Sequence, residues 1–222
     1  MVIAPGKDIG SLHCVDADGT LSGMTVTPPS TVPSGRSRGE ATERILKAAA
    51  TRLAISGASV LTMQEVAEEA GVSKGLIHYH FHDKDTLLAR LVVWMAEGLV
   101  RRERAALASS TPTGAIDDLW RWLEEELARG HIRALVELAG WRGTEVRAAA
   151  AAAMRLRRAA SQASAERLFS LLALRSRVPS PLVGDLLVTF VDGLAAAPEQ
   201  SGRAHARASF DVLWLALLGL AD

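Results

Sequence analysis

Between positions 74 and 82 the chain sets Lys74, Gly75, His78, Tyr79, His80 and His82 close together. Two chemistries could use such a set. Imidazole nitrogens accept zinc or nickel readily, so the alternation His78-x-His80-x-His82 raises a metal centre. A solvent-facing Tyr79 beside Gly75, where the backbone allows close approach, and flanked by Lys74 and His78, suits phosphate and base-edge contact with a nucleic acid instead. Secondary structure separates the two. Residues two apart share a face on a strand but diverge on a helix, so a helical stretch here argues against a histidine metal site. Elsewhere no nucleophile, base and orienting group occur as a set, and there is neither a Gly-rich phosphate loop nor a paired-carboxylate motif. An enzyme, a metal ion and a cofactor are therefore not expected.

The elements that position these residues are well marked. From Glu40 the pattern is helical, with Ile45, Ala48, Ala49 and Leu53 on one stripe and Gly57 placed to end the helix in a left-handed conformation. Thr62 and Glu65 then form a T-x-x-E capping box, and Leu61 and Val66 close a hydrophobic staple around it. Gly71 stops this second, short helix and Ser73 is at hand as the next N-cap. The third helix runs from about Lys74 to His80, Phe81 closes it, and Asp83 caps a long fourth helix beginning at Lys84, which Leu87, Leu88, Leu91, Met95 and Leu99 keep amphipathic. Ile77 and Phe81, one turn apart, face the core with Val72, while Gly75 and Tyr79 project the opposite way. Two short helices joined by a tight turn make a helix-turn-helix, whose second helix can lie in the major groove of DNA.

Thr62-x-x-x-Val66-Ala67-x-x-Ala70-Gly71-Val72-Ser73-Lys74-Gly75, followed by Ile77-His78-Tyr79-His80-Phe81 and by Lys84 with Leu87, resembles the DNA-binding signature of TetR-family transcriptional regulators. The resemblance spans about residues 40–90. It implies that Thr62 and Ser73 bind phosphates and that Lys74, Gly75, His78 and Tyr79 meet the major groove. It further implies that His80 approaches the backbone, that Lys84 clamps a phosphate, and that Arg36 and Arg38 add a flexible arm. Two residues depart from the family pattern: His78 stands where tyrosine is more frequent, and Leu76 where a small or polar residue is usual. Leu76 could meet a thymine methyl or bury itself.

With 222 residues, about half of them apolar, the chain can bury a sizeable core, and its alanine- and leucine-rich composition points to an all-α fold. The expected organisation is a disordered tail over 1–35, a helix-turn-helix domain over 36–84, and a helical ligand-binding and dimerisation domain over 85–222. In the last of these, helices are expected near 114–129, 131–140, 143–175, 180–196 and 202–220, separated by Gly and Pro. The Lys and Arg residues equal the Asp and Glu residues in number, so net charge neither supports nor excludes nucleic-acid binding. Cys14 is the only cysteine, which excludes a disulfide framework and fits a reducing cytoplasm. No apolar run approaches the roughly 18 residues of a membrane span, and neither export nor a membrane location is expected.

Two stripes, Val183, Leu187, Phe190, Val191 and Leu194 on one late helix and Phe210, Leu213, Trp214 and Leu217 on the next, are broad enough that family resemblance implies a four-helix dimer interface, giving a homodimer on a palindromic operator. A small, largely apolar effector is expected among helices 4 to 8. Trp94, Met95, Trp120, Leu123, Leu138, Trp141, Phe169 and Phe190 are its candidate contacts, with His131, Glu137 or Asp192 as polar anchors. Arg147, Arg155, Arg157 and Arg158 read as one solvated face. Two rival functions are a small-molecule-binding helical protein without DNA recognition and a metal-dependent enzyme built on the histidines.

Overall fold

A computed structural model describes residues 35–197 and 202–222, with side chains from Arg38 onward. The expected tail lies outside these residues except for Gly35, which already belongs to the first helix, and Cys14 and the Arg36 side chain lie outside them too. Among the described residues there are nine helices: α1 (Gly35–Ser56), α2 (Met63–Ala70), α3 (Lys74–His80), α4 (Lys84–Ala108), α5 (Ala115–Arg129), α6 (His131–Ala139), α7 (Thr144–Leu171), α8 (Ser180–Ala196) and α9 (Gly202–Gly219). The fold is all-α.

The local signals act as their chemistry requires. The Thr62 hydroxyl accepts from the Glu65 amide while the Glu65 carboxylate accepts from the Thr62 amide, so both capping-box bonds form at the start of α2. Gly71 ends that helix at φ 62°, where a side chain would be strained. The Ser73 hydroxyl accepts from Leu76 N–H at 3.2 Å, and the Asp83 carboxylate from Thr86 N–H at 2.8 Å, which starts α3 and α4. Ile45, Val66, Ile77, Phe81 and Leu88 meet behind these caps with no exposed surface. Burying side chains of this size stabilises by about 1.5–3 kcal/mol each.

From there one apolar core continues to Leu217 on α9. Helix α4 runs through it, packed mainly on α7, which in turn packs on α8. The α7–α8 contact is unusually close because Gly184 presents no side chain: a Cβ there would lie 2.9 Å from the backbone nitrogen of Gln162 and 3.0 Å from the carbonyl oxygen of Arg158.

For five residues of the expected dimer stripes this packing is a correction. Val183, Leu187, Phe210, Trp214 and Leu217 are buried inside the protomer, and Phe190, Val191, Leu194 and Leu213 are half-buried. Leu182 and Leu186 on α8 and Val212 and Leu215 on α9 remain open instead. Both helices are apolar around much of their circumference, so the stripe alone does not tell which side faces the core. On α8 the close approach at Gly184 decides it.

Candidate nucleic-acid interface

Helix α3 is anchored by Ile77 and by Phe81, both fully buried, and the Phe81 N–H donates to the Ile77 carbonyl at 2.7 Å. Its opposite face carries Lys74, Gly75, His78 and Tyr79, all exposed. Tyr79, at 59 % exposure, is among the most exposed large side chains among the described residues. A Cβ at Gly75 would meet only the Ser73 hydroxyl, at 3.9 Å, so this surface is open to a close partner.

Helix α1 supports the face from behind. The Arg38 guanidinium donates to the Tyr79 hydroxyl at 2.8 Å and lies 5.6 Å from the ring centre, which orients the phenol and brings a cation beside it. Thr42, one turn on, places its hydroxyl 3.1 Å from His80 Nδ1. His80 packs edge-on against Tyr79 at 5.4 Å, and its pKa is pushed below the ordinary 6.5 by burial first and by Arg38 and Arg90 next. The expectation that His80 approaches the DNA backbone did not include this role: its imidazole ties α3 to α1 through Thr42. His78 takes another course, with Nδ1 3.3 Å from the His82 carbonyl, so neighbouring histidines of the run have separate partners. The sequence reading missed Thr42 and Arg90; Thr42 stands four residues after Arg38, the spacing that puts two helical side chains on one face.

Two other expected contacts are also placed differently. Lys84 donates to the Ser59 carbonyl at 3.2 Å, and its ammonium lies 5.3 Å from the centre of the Trp141 ring, so this charge is held at a junction within the protein. The Thr62 hydroxyl, exposed as expected, is already engaged with Glu65 as donor and acceptor. These bonds, with one from Arg52, hold the Glu65 carboxyl below its usual pKa.

The junction itself is built mainly from α6 and its exit. The Glu137 carboxylate accepts from Ala58 N–H at 2.7 Å, Arg133 donates to the Ala54 carbonyl at 2.8 Å, and the Trp141 indole donates to Asp85 at 2.9 Å. Glu137 and Trp141 thus fasten the C-terminal helices to the helix-turn-helix.

A partly enclosed cavity lies between α4, α5, α7, α8 and α9, bordered by Leu123 and Phe190, two of the candidate ligand contacts, and also by Glu103, Trp122, Arg157 and Ser164. The other candidate ligand contacts sit elsewhere. Met95 and Leu138 are sealed in the core, Trp120 packs on Phe210 at 5.3 Å, Phe169 is buried beside Val183, and Trp94 lies 5.9 Å from His131. Burial pushes the His131 pKa down, and its Nδ1 has no partner among the described residues. Arg147, Arg155 and Arg158 are exposed, but Arg157 is 4 % exposed and pairs with Asp192 at 2.5 Å. An arginine hidden among solvated arginines on an alanine-rich helix leaves no local signal.

Residues 45–91 match the family described as bacterial regulatory proteins, tetR family. Over 49 residues the chain is 43% identical to YerO, an uncharacterised HTH-type transcriptional regulator of Bacillus subtilis; the match covers 22% of this chain and 17% of that relative. A TetR transcription regulator from Haloarcula marismortui has the same fold with TM-score 0.67 and 20% identity, over 83% of this chain and 100% of that one. A transcriptional regulator from Rhodococcus sp. Rha1 aligns with TM-score 0.65 and 22% identity, over 82% and 97% of the two chains.

Proposed function

We propose, for a chain that carries the TetR-family DNA-binding domain on the TetR-family regulator fold, that it represses transcription as a homodimer on a palindromic operator and leaves DNA when a small, largely apolar effector binds. The observation that carries this reading is the open face of α3. Tyr79, Gly75, Lys74 and His78 are exposed on a helix whose other side is locked by Ile77 and Phe81. Tyr79 and His78 read base edges, Gly75 admits the DNA closely, and Lys74, Ser73, Arg38 and Arg36 contact phosphates.

Two copies meet through Leu182 and Leu186 of α8 and Val212 and Leu215 of α9, large apolar side chains left open to solvent. That pairing would set the two recognition helices about 34 Å apart, one turn of the duplex. The effector acts by preferring a dimer with another spacing, since a ligand shifts an equilibrium only through its differential affinity. Operator mapping with purified protein tests the reading. Tyr79→Ala should weaken the operator about tenfold or more while leaving random DNA nearly unchanged. Failure of the protein to select any promoter fragment over random DNA would overturn it.

A further inference from the structure

Glu103 is a carboxylate with 4 % exposure on the wall of the cavity, and among the described residues it forms no direct ion pair, though Arg157 and Arg104 lie near enough to act on its charge. The nearby guanidinium of Arg157 is already matched by Asp192 at 2.5 Å. The three groups together therefore carry one uncompensated negative charge when Glu103 is ionised. An ion in such surroundings is costly unless it is paired. Burial accordingly raises the Glu103 pKa to about 7, against the smaller opposing effects of Ser164, Arg157 and Arg104. Trp122 also borders the cavity, and its buried indole N–H finds no acceptor among the described residues. Around them stand leucines and the rings of Phe190 and Phe210.

We propose that this cavity is the effector site and that its ligand is a monocationic amine with an apolar, aromatic-sized body, its ammonium seated on Glu103 and Ser164. The assignment rests on the regulator reading above and deepens it. An anion would face the free carboxylate while its natural partner, Arg157, is occupied. A neutral apolar molecule would leave an ionised Glu103 without a countercharge. A cation neutralises the site, and the aromatic rings at its edge favour the same charge. As it stands the cavity measures about 30 Å³, room for about one or two waters. Binding therefore swings out Trp122, Phe190 and Leu213, the half-buried side chains on its border.

Calorimetric titration of the full chain with phenethylammonium, phenethyl alcohol and hydrocinnamate tests the charge preference. The cation should bind best, Glu103→Gln should weaken it about tenfold or more, and Glu103→Asp should keep the preference. Phenethyl alcohol should bind wild type and Glu103→Gln alike. Thermal melting of each variant verifies the fold, and Glu103→Gln, which removes a buried charge, should melt no lower than wild type. Preference for hydrocinnamate, unchanged amine affinity in Glu103→Gln, or no binding by phenethylammonium and its larger quaternary analogues would each overturn the proposal. A parallel gel shift separates the two readings. Operator binding without amine binding defeats only the cation site, whereas amine binding without operator binding defeats only the regulator.

Discussion

Single side chains divide the surface proposed to meet DNA into free groups and braces. Lys74 projects freely, so Lys74→Ala should lower the salt dependence of binding by about 0.9 per lost phosphate contact in each protomer, read as the slope of log affinity against log salt. Lys84 rests on the Ser59 carbonyl and the Trp141 ring. Lys84→Ala should instead leave that slope unchanged and lower stability by about 1 kcal/mol in denaturant titration. Glu103 gives the chain a pH response of definite sign. Its pKa is about 7 when folded and near 4.5 when unfolded, so between these values the native state holds a proton that the unfolded state has lost. Stability conferred by that proton is complete below the lower value and is lost as pH rises through the upper one, about 3 kcal/mol in all. His80 and His131, whose burial depresses their pKa, contribute the opposite slope, so the difference between wild type and Glu103→Gln is the quantity to measure.

At the scale of elements, what the sequence announces is whatever is written in short-range spacing. The capping box at Thr62, the stop at Gly71, the caps at Ser73 and Asp83 and the inward pair Ile77 and Phe81 all lie within a turn or two of their partners, and each forms as its residue types require. The exposed face of α3 was legible for the same reason. Long-range partners were not. Arg157 meets Asp192 across 35 positions and Glu137 reaches Ala58 across 79, and helical periodicity has nothing to say about which helix stands opposite another. Gly184 shows the limit most sharply: it reads as an ordinary weak point in a helix, yet it sets the α7–α8 approach. Gly184→Ala should destabilise by about 1–3 kcal/mol through backbone crowding, despite alanine's better helix propensity. Gly193→Ala on the same helix, where a Cβ would meet nothing within 4 Å, should stabilise by up to about 1 kcal/mol. Chemical denaturation of the two variants checks both signs.

For the whole molecule, a single helix connects the cavity with the helix-turn-helix. Helix α4 carries Glu103 near one end and starts beside α3 at the other, while Glu137, Arg133 and Trp141 fasten the neighbouring elements to α1 and α4. Loosening one fastening should uncouple effector from operator without destroying either site. Trp141→Phe, which removes the bond to Asp85, is expected to keep amine and DNA affinities within about threefold of wild type while reducing the amine's effect on DNA affinity, itself typically about 5–150-fold in coupled systems. Fluorescence anisotropy of labelled operator, with and without phenethylammonium, reads that product directly.

The phenol that Arg38 holds against α3 is also the sole tyrosine of the chain. Biosynthetic replacement by 3-fluorotyrosine thus places a single fluorine nucleus on the exposed face of α3, with no competing signal to assign. Under the proposed function its resonance frequency should register the duplex arriving and departing, so that occupancy, exchange rate and inducer response become separable in one spectrum.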